Sequence, residues 1–76
     1  MKEKISVEAL QSKSYDVLSK VVKRRKELGI SQTQLAHQLN MTISGYFKVE
    51  KGESKLDLMR LFEIAHYLKI DAKDLF

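Results

Sequence analysis

The side chains best suited to chemistry lie in the segment ISGYFKVEK, residues 43–51. If this segment is a helix, a rotation of 100° per residue from Tyr46 turns Ser44, Lys48 and Lys51 away from the core. Ser44 can hydrogen-bond a base or a phosphate, and Lys48 can donate to O6 or N7 of guanine. These residue types therefore predict a binding surface for nucleic acid rather than a catalytic site.

Three other residues of this segment are unusual on a helix exposed to water: Ile43, Gly45 and Phe47. Ile43 and Phe47 are four residues apart and can touch, while glycine inside a helix costs about 1 kcal/mol relative to alanine. Three interpretations are open. Ile43 and Phe47 contact thymine methyl groups and Gly45 admits close backbone approach, or Phe47 folds back and Ile43 extends a hydrophobic staple, or this face contacts protein.

The sequence offers no arrangement typical of an enzyme or a metal site. It contains no cysteine, and its two histidines, His37 and His66, lack the spacing of metal ligands. We find no glycine-rich phosphate loop, paired carboxylates or nucleophile with an adjacent base. We therefore expect neither catalysis nor a metal or cofactor.

The 76 residues allow a single domain with a formal charge of +4, from fourteen Lys and Arg against ten Asp and Glu. An excess of positive charge is typical of proteins that bind polyanions. The basic residues cluster in two places: Lys20, Lys23, Arg24, Arg25 and Lys26, then Lys48, Lys51 and Lys55. No apolar run approaches the roughly 18–20 residues of a membrane span, and the N-terminus lacks the apolar core of a signal peptide. We expect no membrane partner and a cytoplasmic location.

Apolar periodicity predicts an all-α chain with short joints. The first helix begins near Ser14, a possible cap, and Gly29 ends it. Residues 1–13 form either an arm or an extra turn of helix. A fourth helix is predicted from a stripe of core residues, and Asp71 can cap a last short helix. That stripe comprises Leu58, Leu61, Phe62, Ala65 and Leu68.

Between these lies a pair of helices, at about 32–39 and 43–51. Ser31 and Gln34 form a capping box at the start of the first, and Asn40 suits the left-handed conformation that ends it. Thr42 can cap the second. Helices joined so closely must cross steeply, and Ala36 is the small residue that the crossing needs. This is the geometry of a helix-turn-helix, whose second helix enters the DNA major groove.

The chain here resembles the Cro and phage-repressor type of helix-turn-helix domain, also called the XRE family. The resemblance extends over residues 15–76 and rests on RRKELGIS, SQTQLAHQL, KVEKG and LFEIAHYLKIDAKDLF in this order and spacing. It implies a compact five-helix bundle over residues 14–76. It also implies a prokaryotic or phage protein that binds operator DNA, as most family members do, as a homodimer.

The resemblance also implies roles for individual residues. Ile43, Ser44 and Lys48 are expected to read bases, and we add the flanking Phe47. The residues expected to contact phosphates are Gln32, Arg24, Thr42, Lys51 and Lys55. Arg25 and Glu50 match a structural ion pair. Apolar residues beside the fourth helix are candidates for a dimer interface, because a monomer this small struggles to bury them all. These are Tyr67, Ile70, Leu75 and Phe76.

These observations favour a transcription regulator, more specifically a repressor, that binds a palindromic operator as a homodimer. The alternative is a helical protein-protein interaction module, such as an antitoxin that binds a toxin or an anti-regulator. It would keep the fold but bind its partner through Ile43 and Phe47, and acidic Glu53 and Asp57 near this surface favour it.

Overall fold

The computed structural model describes residues 6–75, which form four α-helices and one turn of 3₁₀ helix without any β-strand. The elements are α1 (Val7–Glu27), α2 (Gln32–Gln38), α3 (Ile43–Lys51), α4 (Leu58–Leu68) and the 3₁₀ turn (Ala72–Asp74). The all-α class is confirmed, but the fifth helix of the expected bundle is only this single 3₁₀ turn in the described residues. None of the described helices is long and apolar enough to cross a membrane.

Helix α1 begins earlier than Ser14, so the prediction that Ser14 caps it is wrong. The Ser6 hydroxyl is the cap and accepts a hydrogen bond from the backbone N–H of Ala9 at 3.1 Å. The helix then continues without a break through Ser14. Serine at either position has the same capping chemistry, so residue type alone does not distinguish the two starts.

All four α-helices are followed by a residue in the left-handed conformation: Gly29, Asn40, Gly52 and Lys69. The next backbone N–H then bonds a carbonyl five residues back, as Met41 does to Ala36 at 2.9 Å. This motif satisfies carbonyls that a helix end would leave unpaired. The left-handed Asn40 is confirmed, with a φ of 56°.

The core lies where α1 meets α3 and α4, and where α2 meets α3. Its members are Leu18, Val21, Leu35, Ala36, Leu39, Tyr46, Val49, Leu61, Ile64, Ala65, Leu68 and Leu75. Two residues expected in the core stripe of α4, Leu58 and Phe62, are exposed instead. Ile64 takes the buried side of the helix with Leu61 and Leu68, so α4 is rotated relative to the prediction.

The C-terminal dimer candidates do not share one environment. Leu75 is only 1% exposed and belongs to the core, so its assignment to a dimer surface is wrong. The 3₁₀ turn folds the chain back so that Leu75 reaches the core that α1 and α4 form. Ile70 is half-buried, Tyr67 is exposed, and Phe76 lies outside the described residues.

A core role for Leu75 predicts a large loss of stability on truncation. Leu75→Ala should lower the free energy of unfolding by about 2–5 kcal/mol, because it leaves a cavity in a buried position. Urea unfolding followed by circular dichroism measures this, with Leu10→Ala on α1 as the exposed control. If Leu75→Ala changed only the oligomeric state and left unfolding at low protein concentration untouched, the core assignment would be contradicted.

Candidate nucleic-acid interface

Helices α2 and α3 are joined by residues 39–42 alone. Ala36 on α2 and Tyr46 on α3 are both completely buried, so the two helices meet in the core rather than across solvent. The left-handed Asn40 and the bond from Met41 to Ala36 turn the chain within this short joint. Helix α3 is thereby fixed against α2 on one side and packs against α1 on another, which leaves the face of Ile43, Ser44, Phe47 and Lys48 directed outward.

Capping fixes where each of the two helices begins. At α2, the Ser31 hydroxyl accepts from the Gln34 N–H at 3.0 Å, and the Gln34 side chain accepts from the Ser31 N–H at 2.8 Å. At α3, the Thr42 hydroxyl accepts from the Gly45 N–H at 3.0 Å. A Cβ on Gly45 would lie 2.9 Å from that hydroxyl oxygen, so glycine here leaves room for the cap.

A buried ion pair joins α1 to α3. Arg25 Nε and Nη2 donate to the two carboxylate oxygens of Glu50 at 2.7 and 3.2 Å. Both side chains are less than a tenth exposed. Arg25 Nη1 also donates to the Ile30 carbonyl at 2.9 Å, and Gln32 Nε2 donates to Glu50 at 2.8 Å. The network therefore connects α1, the start of α2 and α3.

Two groups in this network have shifted acidity. Burial alone would raise the pKa of Glu50, but hydrogen bonds from Arg25, the nearby Tyr46 hydroxyl, a hydrogen bond from Gln32 and the Arg25 charge outweigh it and lower the pKa. Burial, followed by the neighbouring Glu50 carboxylate, raises the pKa of Tyr46 well above its ordinary value. The buried Tyr46 hydroxyl has no hydrogen-bond partner of good geometry among the described residues. Glu50 is thus held ionised and Tyr46 neutral at neutral pH.

Every arginine of the chain is engaged with the fold. Besides Arg25, Arg60 donates to the Leu39 carbonyl at the end of α2 at 2.7 Å. Arg24 Nε donates to the Leu68 carbonyl at the end of α4 at 3.0 Å. Arg24 thus faces α4 while its neighbour Arg25 faces α3, because successive helical residues are 100° apart. One nitrogen of Arg24 is thus bonded within the fold, and the contact of Arg24 with DNA phosphates stays a prediction.

The four residues expected to read bases, Ile43, Ser44, Phe47 and Lys48, are all exposed on α3. Ile43 is 46% and Phe47 37% exposed, so both present apolar surface to solvent. Neither belongs to the buried core. Lys48 forms no ion pair with any described residue.

The remaining phosphate candidates lie around α3. Lys51 is exposed in its last turn and Lys55 in the loop that follows it. The Thr42 hydroxyl accepts one hydrogen bond as a cap and can still donate its own proton, and the Gln32 amide has a second N–H beyond the one bonded to Glu50. Asp57 caps α4 by accepting from the Arg60 N–H at 2.7 Å, so its charge has a structural role.

Sequence analysis did not find the role of Arg60. Its partner is a backbone carbonyl 21 residues earlier, and a carbonyl has no signature in the sequence. The sequence also did not show that the basic residues at 20–26 lie on different sides of α1. Lys20 donates to the Leu75 carbonyl at 3.4 Å, whereas Lys23 and Lys26 line a shallow depression beside Glu50. In the described part of the chain, no group of three or more His, Asp or Glu residues could hold a metal ion.

A short helix joined by four residues to a second helix with an exposed polar and apolar face is the arrangement of a helix-turn-helix protein. The helix-turn-helix family model (HTH_3) matches residues 21–75, and the chain belongs to this family. The resemblance to the Cro and repressor type is thereby confirmed. The family is one of DNA-binding regulators and is generally not enzymatic. Comparisons with curated proteins and with solved structures gave no match.

The buried ion pair predicts that Arg25 acts through stability. Arg25→Met should lower the free energy of unfolding by about 3–5 kcal/mol, because it leaves the Glu50 carboxylate buried without its main partner. Adding Glu50→Leu should recover part of the loss, since no uncompensated charge then remains. Thermal unfolding of the two variants measures both effects. An unchanged melting temperature with lost DNA binding would instead make Arg25 a DNA contact.

The lowered pKa of Glu50 predicts how stability responds to acid. A carboxyl group whose pKa falls on folding contributes stability above its ordinary pKa, near 4.5, and that stability is lost as the pH drops through the folded value. Glu50→Gln should therefore be less stable than wild type at neutral pH, with the difference shrinking below about pH 4.5. Urea unfolding across this range measures it, with exposed Glu53→Gln as the control. Parallel curves for wild type and Glu50→Gln would contradict the prediction.

Proposed function

We propose that this protein is a sequence-specific regulator of transcription that binds double-stranded DNA. Helix α3 enters the major groove, and α2 crosses the backbone beside it. The observation that carries the proposal is the exposed face of α3, where Ser44 and Lys48 stand beside Ile43 and Phe47 on a helix fixed from behind. In the major groove, base edges present hydrogen-bond acceptors and the thymine methyl group, which the donors and the apolar side chains of α3 can contact.

Lysines supply most of the positive charge at this surface in our proposal. Lys51 and Lys55 contact phosphates beside α3, and the side chains of Gln32 and Thr42 donate to phosphates at the two helix starts. Lys23 and Lys26, exposed on α1 beside Glu50, extend this basic surface. Phosphate contacts of this kind set the position of the protein on the duplex and make its affinity depend on salt.

We further propose that the protein is a homodimer and represses transcription at a palindromic operator. Helix α4 leaves Leu58, Met59 and Phe62 exposed near its start and Tyr67 exposed near its end, and exposed apolar side chains of this size support a protein interface. Two-fold symmetry in the protein requires half-sites of the operator about one helical turn apart. Binding at such a site represses by excluding polymerase.

A protein partner is the second candidate function. The exposed Ile43 and Phe47 support it, because an apolar face can pack against another protein as well as against DNA. Asp57 supports it less than the sequence suggested, since its carboxylate caps α4. An antitoxin or anti-regulator would bind its partner through this face, and its affinity for that partner would depend little on salt.

Selection of bound duplexes from a randomised pool, at two salt concentrations, distinguishes the two functions. We expect an enriched palindrome whose affinity falls by orders of magnitude between about 50 and 200 mM salt, because phosphate contacts release counterions. Lys48→Ala should weaken binding of that duplex by about 1–3 kcal/mol and relax preference at one base pair. Lys73→Ala removes the same charge far from α3 and is the control.

Failure to enrich any sequence would contradict specific DNA binding and favour the protein partner. A Lys48→Ala variant that loses its fold would contradict the assignment of Lys48 to base readout. Equal losses for Lys48→Ala and Lys73→Ala would show that only net charge matters.

A further inference from the structure

Ile43 and Phe47 form an apolar pair on the outward face of α3. They lie one helical turn apart, 46% and 37% exposed, and neither belongs to the buried core. The N-terminus of α3 is secured by the Thr42 cap and its underside by Tyr46 and Val49. Both side chains therefore present apolar surface to solvent on a helix that other residues hold in place.

The polar groups on the same face can specify only part of an operator. Arginine or lysine reads guanine, and asparagine or glutamine reads adenine, through paired hydrogen bonds. Residues 43–51 contain no arginine, asparagine or glutamine, and all three arginines of the chain donate to carbonyls within the fold. Lys48 can therefore read a guanine, whereas Ser44 bonds to either kind of base. Selectivity of α3 for thymine must then come from apolar contact.

The edges of bases in the major groove offer one apolar group, the methyl group on C5 of thymine. Four residues of helix advance about 6 Å along its axis, and successive base pairs are about 3.4 Å apart. Ile43 and Phe47 can therefore contact two methyl groups separated by about two base-pair steps.

We propose that α3 recognises thymine positions of its operator through their C5-methyl groups, which Ile43 and Phe47 contact in the major groove. This inference rests on the proposed function and names the chemical feature of DNA that the site selects. The same methyl group occurs on thymine and on 5-methylcytosine. A regulator built in this way binds thymine-containing half-sites, or half-sites in which methylated cytosine replaces thymine.

The test replaces each thymine of the selected duplex, one at a time, with deoxyuridine. This change removes the methyl group and leaves every hydrogen-bonding atom in place. We expect affinity, measured by fluorescence anisotropy, to fall about fourfold at each contacted thymine. In a second series, a contacted thymine–adenine pair is replaced with cytosine–guanine or with 5-methylcytosine–guanine. The protein should bind the methylated duplex more tightly than the unmethylated one, because only the methylated duplex keeps the methyl group.

Variants assign each methyl group to a side chain. Deoxyuridine should no longer weaken the affinity of Ile43→Ala at one thymine of the duplex, and should no longer weaken that of Phe47→Ala at another thymine. The matched control is Leu10→Ala, an exposed apolar residue of α1 with no role in the proposed interfaces, which should leave all the losses unchanged. Circular dichroism should show all three variants folded, because the side chains removed are exposed. A loss that persists in both α3 variants reports altered DNA flexibility and would overturn the inference.

The outcomes separate this inference from the proposed function. An enriched duplex that binds equally well with deoxyuridine at every position overturns methyl recognition and leaves the DNA-binding function standing. An enriched half-site without any thymine at the base pairs that α3 meets does the same. Failure to enrich any duplex overturns both.

Discussion

The ion pair between Arg25 and Glu50 is the contact that the candidate binding surface depends on. It lies almost completely buried, and two carboxylate oxygens, one guanidinium and the Gln32 amide satisfy one another there. Charges removed from water in this way are costly unless they are paired with good geometry, so the network tolerates few arrangements. Because its members come from α1, the start of α2 and α3, it fixes the orientation of α3 relative to the rest of the molecule.

The two kinds of basic residue have divided roles. Each arginine donates to a carbonyl at or just beyond the end of a helix, namely that of Ile30, Leu39 or Leu68. A guanidinium can do this and still hold a carboxylate, because it carries five donors in a fixed plane. The exposed surface around α3 is left with lysines, which suit phosphates and, at Lys48, a guanine, but do not recognise thymine. Because the arginines are bonded within the fold, recognition of thymine in our proposal depends on the apolar side chains of α3.

Features that depend on a few neighbouring residues, such as helix ends, could be predicted from the sequence. Contacts between residues far apart in the chain mostly could not. The left-handed Asn40 followed from residue type, because asparagine tolerates that conformation. In α4, Phe62 and Ile64 fit helical periodicity equally well, and only packing against α1 decided that Ile64 is buried. Arg24 and Arg60 bond to backbone carbonyls, which every residue possesses, so no sequence pattern predicted their partners. The family resemblance indicated the DNA surface but did not distinguish Arg24 from Arg25 in role.

The most direct test of the account is a nuclear magnetic resonance titration of the ¹⁵N-labelled protein with a selected operator duplex. The account predicts the largest shifts in the amide signals at the start of α2 and along α3, from Thr42 to Lys48. Signals from the buried side of α4 should change little. Shifts confined to the exposed side of α4, with α3 unaffected, would contradict the claim that the face carrying Ile43, Ser44, Phe47 and Lys48 binds DNA.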